Sequence, residues 1–109
     1  LLFSPETRLD LVAQCFQEEN NIRVMGYNRL TVEFCKSQGA KVIVRGLRVF
    51  SDFEHEFRMA LANKRLDKEI ENIALITSET HTFLSSTTVR EIAALGGNVS
   101  TMVPPHVEI

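Results

Sequence analysis

The 109 residues are 44% hydrophobic and 24% charged, and the net charge is −2. This is the balance of a globular domain without the positive field that recruits nucleic acid or an anionic membrane, so we expect neither partner and only local anion binding. The apolar runs are too short for a membrane-spanning helix. Two cysteines without framework spacing predict reduced thiols in a cytosolic protein.

Helices alternate with short apolar segments from the start of the chain. The first helix is predicted to begin with Ser4 as the N-cap and Pro5 at the first helical position, and to end at Asn20-Asn21. A strand is predicted over residues 22–26. A second helix follows and is predicted to end at Gly39, which suits the left-handed residue after a helix.

The middle of the chain repeats this alternation. Lys41 is followed by three β-branched, apolar residues, which predicts a strand over residues 41–44 that is buried on both faces. A longer helix is predicted to begin at Ser51, with Glu54 completing a capping box. Its predicted buried stripe consists of Phe53, Phe57, Ala60 and Leu61. A third strand is predicted over residues 73–76, and a last helix ends at Gly96-Gly97.

This order of elements predicts an α/β fold with a parallel sheet and right-handed crossovers. The chain has three predicted strands, whereas doubly wound sheets have about five or six. We therefore expect residues 1–109 to form a single, partial domain that corresponds to the second half of such a fold. The start at Leu1 without an initiator methionine also leads us to expect a piece of a longer protein.

Two arginines follow the second predicted strand in the sequence Arg45-Gly46-Leu47-Arg48. Ligands of open parallel sheets bind beyond the carboxyl ends of the strands, and guanidinium groups match phosphate oxygens. The alternative is a turn with two solvated arginines. Composition alone leaves both interpretations open.

A run of four hydroxyl residues, Ser85 to Thr88, precedes the last predicted helix. A helix N-terminus offers free N–H groups and the positive end of the dipole, so it can hold phosphate. The alternative is an ordinary capping box of Thr88 with Glu91. Because this run and the arginines both follow predicted strands, we expect them at one edge of the sheet, where together they would form a polyphosphate cradle.

The long helix carries a second face, formed by Asp52, Glu56, Met59 and Asn63 at spacings of four, three and four. This mixed face suits either the wall of a binding groove or a solvated flank. His55 has no second ligand at helical spacing and is interpreted as a surface histidine. No metal site is predicted from these residues.

Taken together, these stretches resemble the bacterial phosphopantetheine adenylyltransferase family. The similarity covers essentially the whole chain and is carried by residues 3–8 and 42–57, Met59-Ala60, Asn63, and residues 83–91, 96–99 and 103–105. It implies transfer of the adenylyl group of ATP to 4′-phosphopantetheine, which gives dephospho-coenzyme A and pyrophosphate in coenzyme A biosynthesis. It also implies Mg²⁺ as cofactor, a nucleotidyltransferase version of the dinucleotide-binding fold with about three of its five strands here, and a cytoplasmic homohexamer.

The resemblance assigns roles residue by residue. Arg48 and Ser86 would be catalytic. The residues on the phosphopantetheine side would be Arg45, Thr31, Met59, Asn63 and Glu91. The residues that bind ATP would be Gly46, Leu47, Arg48, Glu56, His81, Thr82, Phe83, Leu84, Ser85, Ser86 and Thr87. Relatives often have an aromatic side chain where this sequence has His81, which can also stack.

The family also has a Thr-x-Gly-His motif and a substrate-binding lysine, and neither lies within these 109 residues. We therefore expect half of a catalytic site, and no activity from this chain alone. Two other hypotheses stay open. One is another nucleotidyltransferase of the same superfamily with a different acceptor, and the other is a non-catalytic fragment that keeps nucleotide-binding and assembly surfaces.

Overall fold

A computed structural model describes residues 3–78 and 82–108. Its elements, in chain order, are α1 (Pro5–Cys15), α2 (Thr31–Ser37), β1 (Val42–Leu47), α3 (Phe50–Leu66), β2 (Glu71–Ile76) and α4 (Ser86–Ala94). The chain divides into two compact units. We call Tyr27–Phe83 the sheet unit, and residues 1–26 with 84–109 the helical unit.

The sheet unit contains a β-α-β arrangement in which α3 connects two parallel strands. β1 and β2 pair in register from Val42 opposite Glu71 to Leu47 opposite Ile76. Parallel neighbours need a crossover connection, and the long helix between them provides it. The predicted parallel pairing and the predicted strand over residues 73–76 are therefore confirmed.

The predicted strand over residues 22–26 is wrong. This segment forms no ladder with another strand among the described residues, and Ile22 and Met25 are 42% and 44% exposed. Strand propensity reflects packing on a pleated, half-buried surface rather than a preference of the backbone itself. The apolar residues of this segment lack that surface, so two of the three predicted strands occur in the described part of the chain.

The prediction that β1 is buried on both faces is also wrong. Ile43 and Leu47 are buried, but Val42 and Val44 on the opposite face are 46% and 57% exposed. Successive side chains of a strand point to opposite faces, and the helices of the sheet unit pack on the Ile43 side. There Ile43 forms a small core with Val32 and Ile70.

Helix α3 differs from its prediction at its start and in its buried side. Its N-cap is Val49, which makes no side-chain capping hydrogen bond, so the predicted cap at Ser51 is wrong. The side chains of Phe53, Phe57 and Leu61 are 49%, 54% and 57% exposed, so the predicted stripe is not buried. Phe53 and Phe57 nevertheless line a cavity beside the sheet, and Glu56 of the same helix has a side chain only 14% exposed, which pairs with β1.

Two helix ends follow their predictions, whereas the predicted end of the first helix at Asn20-Asn21 is wrong, because α1 ends at Cys15. Ser4 caps α1, because its hydroxyl accepts a hydrogen bond from the Thr7 N–H at 3.1 Å. Gly39 follows α2 with a φ of 71°, in the left-handed region that glycine adopts most readily. The Ala40 N–H then donates to the Cys35 carbonyl at 2.8 Å, as in a Schellman motif.

The helical unit is held partly by a contact that the sequence did not reveal. The Nε2 atom of His106 lies 2.9 Å from the Leu11 carbonyl oxygen of α1 and 3.6 Å from the Cys15 sulfur. His106 thus ties the last described residues to the first helix. Both cysteines are free thiols, as predicted. Across the described ranges, no helix has the length and apolar character needed to cross a membrane.

Candidate functional site

The sheet unit contains a cavity of about 370 Å³ between its sheet and α3. The cavity brings together six residues that were predicted to bind ligands, namely Thr31, Arg45, Leu47, Glu56, Met59 and Asn63. They come from α2, β1 and α3, and they add polar groups to an otherwise mainly apolar lining. A concave apolar site with a few convergent polar groups is typical of a small-molecule site.

Arg45 lines this cavity and is held by Glu56 through a two-point ion pair. Its Nε donates to Oε2 at 2.9 Å, and its Nη2 donates to Oε1 at 2.8 Å. Although Arg45 lies on β1 and is 61% exposed at its side chain, the pair fixes the direction of its guanidinium. The hydrogen bond raises the pKa of Arg45 and lowers that of Glu56, so the carboxylate is ionised at neutral pH.

Arg48 follows the last residue of β1 and makes a second, independent ion pair. Its Nε donates to Asp52 Oδ2 at 2.9 Å, and its Nη2 donates to Oδ1 at 3.2 Å. The backbone N–H of Arg48 also donates to Oδ2 at 3.1 Å. Hydrogen bonding to Arg48 lowers the pKa of Asp52.

The two arginines are therefore held apart by two carboxylates that lie one turn apart on α3. Arg45 points into the cavity, while Arg48 lies outside the residues that line it. Arg48 and Asp52 are four residues apart, but Arg48 precedes the N-cap Val49 of α3, so the helical spacing rule did not predict their pair. Arg45 and Glu56 are eleven residues apart, and no local pattern predicts their contact.

Some residues that line the cavity were not predicted from the sequence as site residues. Asn72 and Ala74 of β2 line it beside Ile43 and Arg45, and they are the register partners of those two residues. His55, interpreted above as a surface histidine, is exposed and lies at the cavity as well. Asn72 and Ala74 could be assigned to the cavity only from the register of the two strands, which cannot be predicted from the sequence.

Thr31 is held at the cavity by Tyr27, which was not predicted as a site residue. The Tyr27 and Thr31 hydroxyl oxygens lie 2.9 Å apart. The Tyr27 ring stacks on Phe34 with centroids 4.5 Å apart and an interplanar angle of 7°. This stack limits the movement of Tyr27 and, through the hydrogen bond, that of the Thr31 hydroxyl.

The hydroxyl run lies in the helical unit and begins α4. Ser85 is the N-cap, because its hydroxyl accepts from the Thr88 N–H at 3.1 Å. The alternative of a cap at Thr88 is therefore wrong, since Thr88 lies in the first helical turn. The expectation that all four hydroxyls precede the helix is corrected too: Ser86 and Thr87 are its first two residues and are exposed.

Several predicted site residues stay as predictions. His81 lies outside the described residues. Thr82 donates its hydroxyl to the Ser78 carbonyl oxygen at 3.3 Å, and Glu91 is exposed on α4. The predicted cradle of Arg48 with the hydroxyl run joins residues of the two units, so it also remains a prediction.

Comparison with known proteins identifies the family. The model of the cytidylyltransferase-like family matches residues 1–92. The chain belongs to this family. Family membership, together with the parallel strands of the sheet unit, confirms the predicted α/β fold class and is consistent with a partial nucleotidyltransferase fold.

Curated relatives of this cytidylyltransferase-like chain extend the resemblance noted from its sequence. It is 46% identical over 107 residues to a phosphopantetheine adenylyltransferase of Desulfitobacterium hafniense. It is 49% identical over 107 residues to one of Desulforudis audaxviator. Each alignment covers 98% of this chain and 66% of the relative. The resemblance to that family is therefore confirmed, and the chain spans 66% of the length of these relatives.

Proposed function

We propose that the protein containing this chain transfers the adenylyl group of ATP to 4′-phosphopantetheine. The products are dephospho-coenzyme A and pyrophosphate, the reaction is reversible, and it belongs to coenzyme A biosynthesis. The observation that carries this proposal is the 46–49% identity, over 98% of the chain, to proteins named phosphopantetheine adenylyltransferase. The cavity of the sheet unit supports it, because its residue types suit the proposed acceptor.

The acceptor combines a phosphate with a chain of amide and apolar groups. In the cavity, Arg45 offers a guanidinium for the phosphate, Asn63 offers an amide, and Met59 offers apolar contact. Thr31, oriented by Tyr27, adds a hydroxyl. Arg45 is ordered by its carboxylate before a ligand arrives, which lowers the entropic cost of binding.

The proposed reaction needs no nucleophile from the protein. A phosphate oxygen of phosphopantetheine attacks the α-phosphorus of ATP, one P–O bond forms as another breaks, and pyrophosphate leaves with the electron pair. Such a step depends on positioning and on stabilisation of developing negative charge. We assign that stabilisation to Arg48 and to Ser86 at the start of α4, where the helix N-terminus also favours an anion.

The proposal includes Mg²⁺, but we assign no residue of this chain to bind it. In the described ranges, no three or more His, Cys, Asp or Glu side chains cluster so that they could hold a metal ion. The two carboxylates nearest the arginines are engaged by guanidinium groups. The residues present therefore do not fit a protein-held ion. Mg²⁺ is often held largely by substrate phosphates, and we expect that here.

The proposed partners and assembly follow the same resemblance. ATP and 4′-phosphopantetheine are the proposed substrates, and a cytoplasmic homohexamer is the proposed state. Sedimentation velocity of the full-length protein tests this, and a monomer at micromolar concentration would contradict it.

The activity is tested with the full-length protein, ATP and 4′-phosphopantetheine, with release of pyrophosphate and formation of dephospho-coenzyme A measured by mass spectrometry. Arg45→Ala should raise the KM for phosphopantetheine about 10- to 100-fold, since hydrogen bonds to charged groups contribute about 1.5–3 kcal/mol. The matched control is Arg58→Ala, which removes an arginine from an exposed pair with Glu54.

A second function would follow from a different outcome of the same assay. The matching family is described as cytidylyltransferase-like, so the assay is repeated with CTP in place of ATP and with other phosphorylated acceptors. Pyrophosphate release that requires CTP, or an acceptor other than phosphopantetheine, would replace the proposal with another nucleotidyltransferase activity. Ligand binding without release of pyrophosphate in any combination would favour a non-catalytic role.

A further inference from the structure

The first turn of α3 contains Asp52, an acidic residue to which the proposed reaction assigns no role. Asp52 is at the third helical position, next to the end of β1. We propose that Asp52 is a positioning residue for the nucleotide, which fixes the Arg48 guanidinium so that ATP phosphates meet a cation that is already ordered. This inference rests on the proposed function, because that function places Arg48 at the phosphates of ATP.

The geometry of the Asp52 carboxylate carries the inference. Its Oδ2 atom accepts from both the Arg48 Nε at 2.9 Å and the Arg48 backbone N–H at 3.1 Å. Its Oδ1 atom accepts from Nη2 at 3.2 Å. The Asp52 carboxylate therefore fixes the Arg48 guanidinium relative to the backbone at the end of β1. A two-point pair alone would fix only the side chain relative to α3.

An ordinary ion pair on the same helix shows the contrast. Glu54 and Arg58 have the same i,i+4 spacing and meet at 2.7 Å, but their side chains are 61% and 74% exposed. Those of Asp52 and Arg48 are 23% and 41% exposed. The Glu54 pair has the features of an exposed pair that contributes little, and it provides a matched control.

An ordered arginine changes affinity in a predictable direction. Fixing a long, rotamer-rich side chain on binding costs a factor of about 2 to 10 in affinity, and Asp52 removes that cost by fixing Arg48 beforehand. The alternative is that Asp52 competes with ATP: its negative charge would repel the phosphates, and its ion pair would keep Arg48 from binding them. The two roles predict opposite signs, because loss of a positioning group weakens ATP binding and loss of a competitor strengthens it.

The test uses Asp52→Asn in the full-length protein at pH 7, with ATP and phosphopantetheine titrated separately by calorimetry. We expect the Kd for ATP to rise about 2- to 10-fold, and the Kd for phosphopantetheine to stay unchanged. Glu54→Gln should change neither. An unchanged or lower Kd for ATP in Asp52→Asn overturns the inference. An equal loss for both ligands also overturns it, because that result indicates a general weakening of α3.

If Asp52→Asn does not fold, Asp52→Glu replaces it. This variant keeps the negative charge at the helix start, which is favourable there, but its longer side chain changes the three contacts. Weaker ATP binding with unchanged phosphopantetheine binding supports the inference, and wild-type affinity for ATP overturns it. In the Arg48→Ala background, Asp52→Asn should cause no further loss, and an additional loss overturns an action through Arg48.

The same measurements separate this inference from the proposed function. If the wild-type protein transfers adenylyl groups and Asp52→Asn binds ATP normally, the inference alone fails. If the wild type binds ATP but makes no dephospho-coenzyme A, the proposed function fails and the ATP titrations still decide the role of Asp52. If the wild type does not bind ATP at all, both are wrong.

Discussion

The sheet unit and the helical unit stabilise their polar groups in different ways. In the sheet unit, Arg45 and Arg48 are each fixed by a carboxylate of α3. In the helical unit, Ser4 and Ser85 each accept a backbone N–H at the start of a helix. The ion pairs are partly exposed at their arginines, and such pairs contribute at most about 1 kcal/mol and are screened by solvent, whereas an N-cap contributes about 1 kcal/mol. We therefore expect substitutions in the ion pairs of the sheet unit to change ligand affinity. Substitutions of the N-cap serines should mainly change folding stability.

Arg48→Ala should give the largest effect and is the strongest test of this contrast. Loss of one group that stabilises charge in the transition state typically costs about 10²–10³ in rate, so we expect kcat/KM to fall by that factor. Stability should hardly change, since the Arg48 side chain is 41% exposed. Steady-state kinetics and urea unfolding of the full-length protein measure the two quantities.

The Arg48→Ala result is interpreted against Arg58→Ala, which removes a similar exposed arginine from the same sheet unit. Both variants should unfold at nearly the wild-type urea concentration, and only Arg48→Ala should lose activity. A large loss of stability with Arg48→Ala, or normal kinetics, would break the proposed separation of affinity from stability.

Local patterns predicted part of the local structure correctly. The cap at Ser4 and the left-handed Gly39 follow from the chemistry of one or two residues, and both are confirmed. The strand over 73–76 follows from its β-branched and apolar composition. Helix caps depend on neighbours in sequence and can be predicted without the tertiary fold, but the same kind of pattern wrongly predicted a cap at Ser51 and a strand over residues 22–26.

Features that depend on distant contacts were predicted poorly. Helical periodicity correctly groups Phe53 with Phe57, whose rings are stacked with centroids 5.8 Å apart, but it does not say which side of α3 packs on the sheet. That side is set partly by the pair of Glu56 with Arg45, from another element. The cavity residues on β2 depend on strand register, which is likewise a tertiary property.

Glu56→Gln should have the next largest effect and sharpens the comparison within the sheet unit. The variant keeps a hydrogen-bonding group but loses the charge that fixes Arg45. We expect the KM for phosphopantetheine to rise about 2- to 10-fold, because Arg45 must then be ordered on binding. The resemblance instead assigns Glu56 to ATP. Kinetics with each substrate varied in turn decide this, and a selective rise in the KM for ATP would favour the nucleotide assignment.

The caps of the helical unit provide a smaller effect of the opposite kind. Ser4 and Ser85 accept their N–H groups at the same distance, 3.1 Å. Replacing either by alanine should lower the free energy of unfolding by about 1 kcal/mol. We expect only Ser85→Ala to weaken ATP binding as well, because Ser85 begins the helix that is proposed to hold phosphate. Equal ATP affinities in the two variants would contradict a phosphate site at α4.

The smallest expected effect is a pH dependence that differs between the units. The pKa values of Asp52 and Glu56 are lowered by their arginines, so their pairs contribute stability above the ordinary carboxyl pKa of about 4. That contribution is lost as the pH falls through the lowered values. The double variant Asp52→Asn/Glu56→Gln should thus be slightly less stable than wild type at pH 7, and the difference should shrink as the pH falls below the ordinary carboxyl pKa and vanish once both carboxylates are protonated in the folded protein.

The hydroxyl of Ser85 does not titrate in this range, so the stability loss in Ser85→Ala should be the same at pH 7 and at acid pH. Urea unfolding of the wild type and both variants at three pH values tests this. A difference that grows in acid for the double variant would show that the carboxylates are not stabilised by their arginines. A loss in Ser85→Ala that disappears in acid would show that its cap depends on a charged neighbour, and the contrast between charge pairs and caps would then fail.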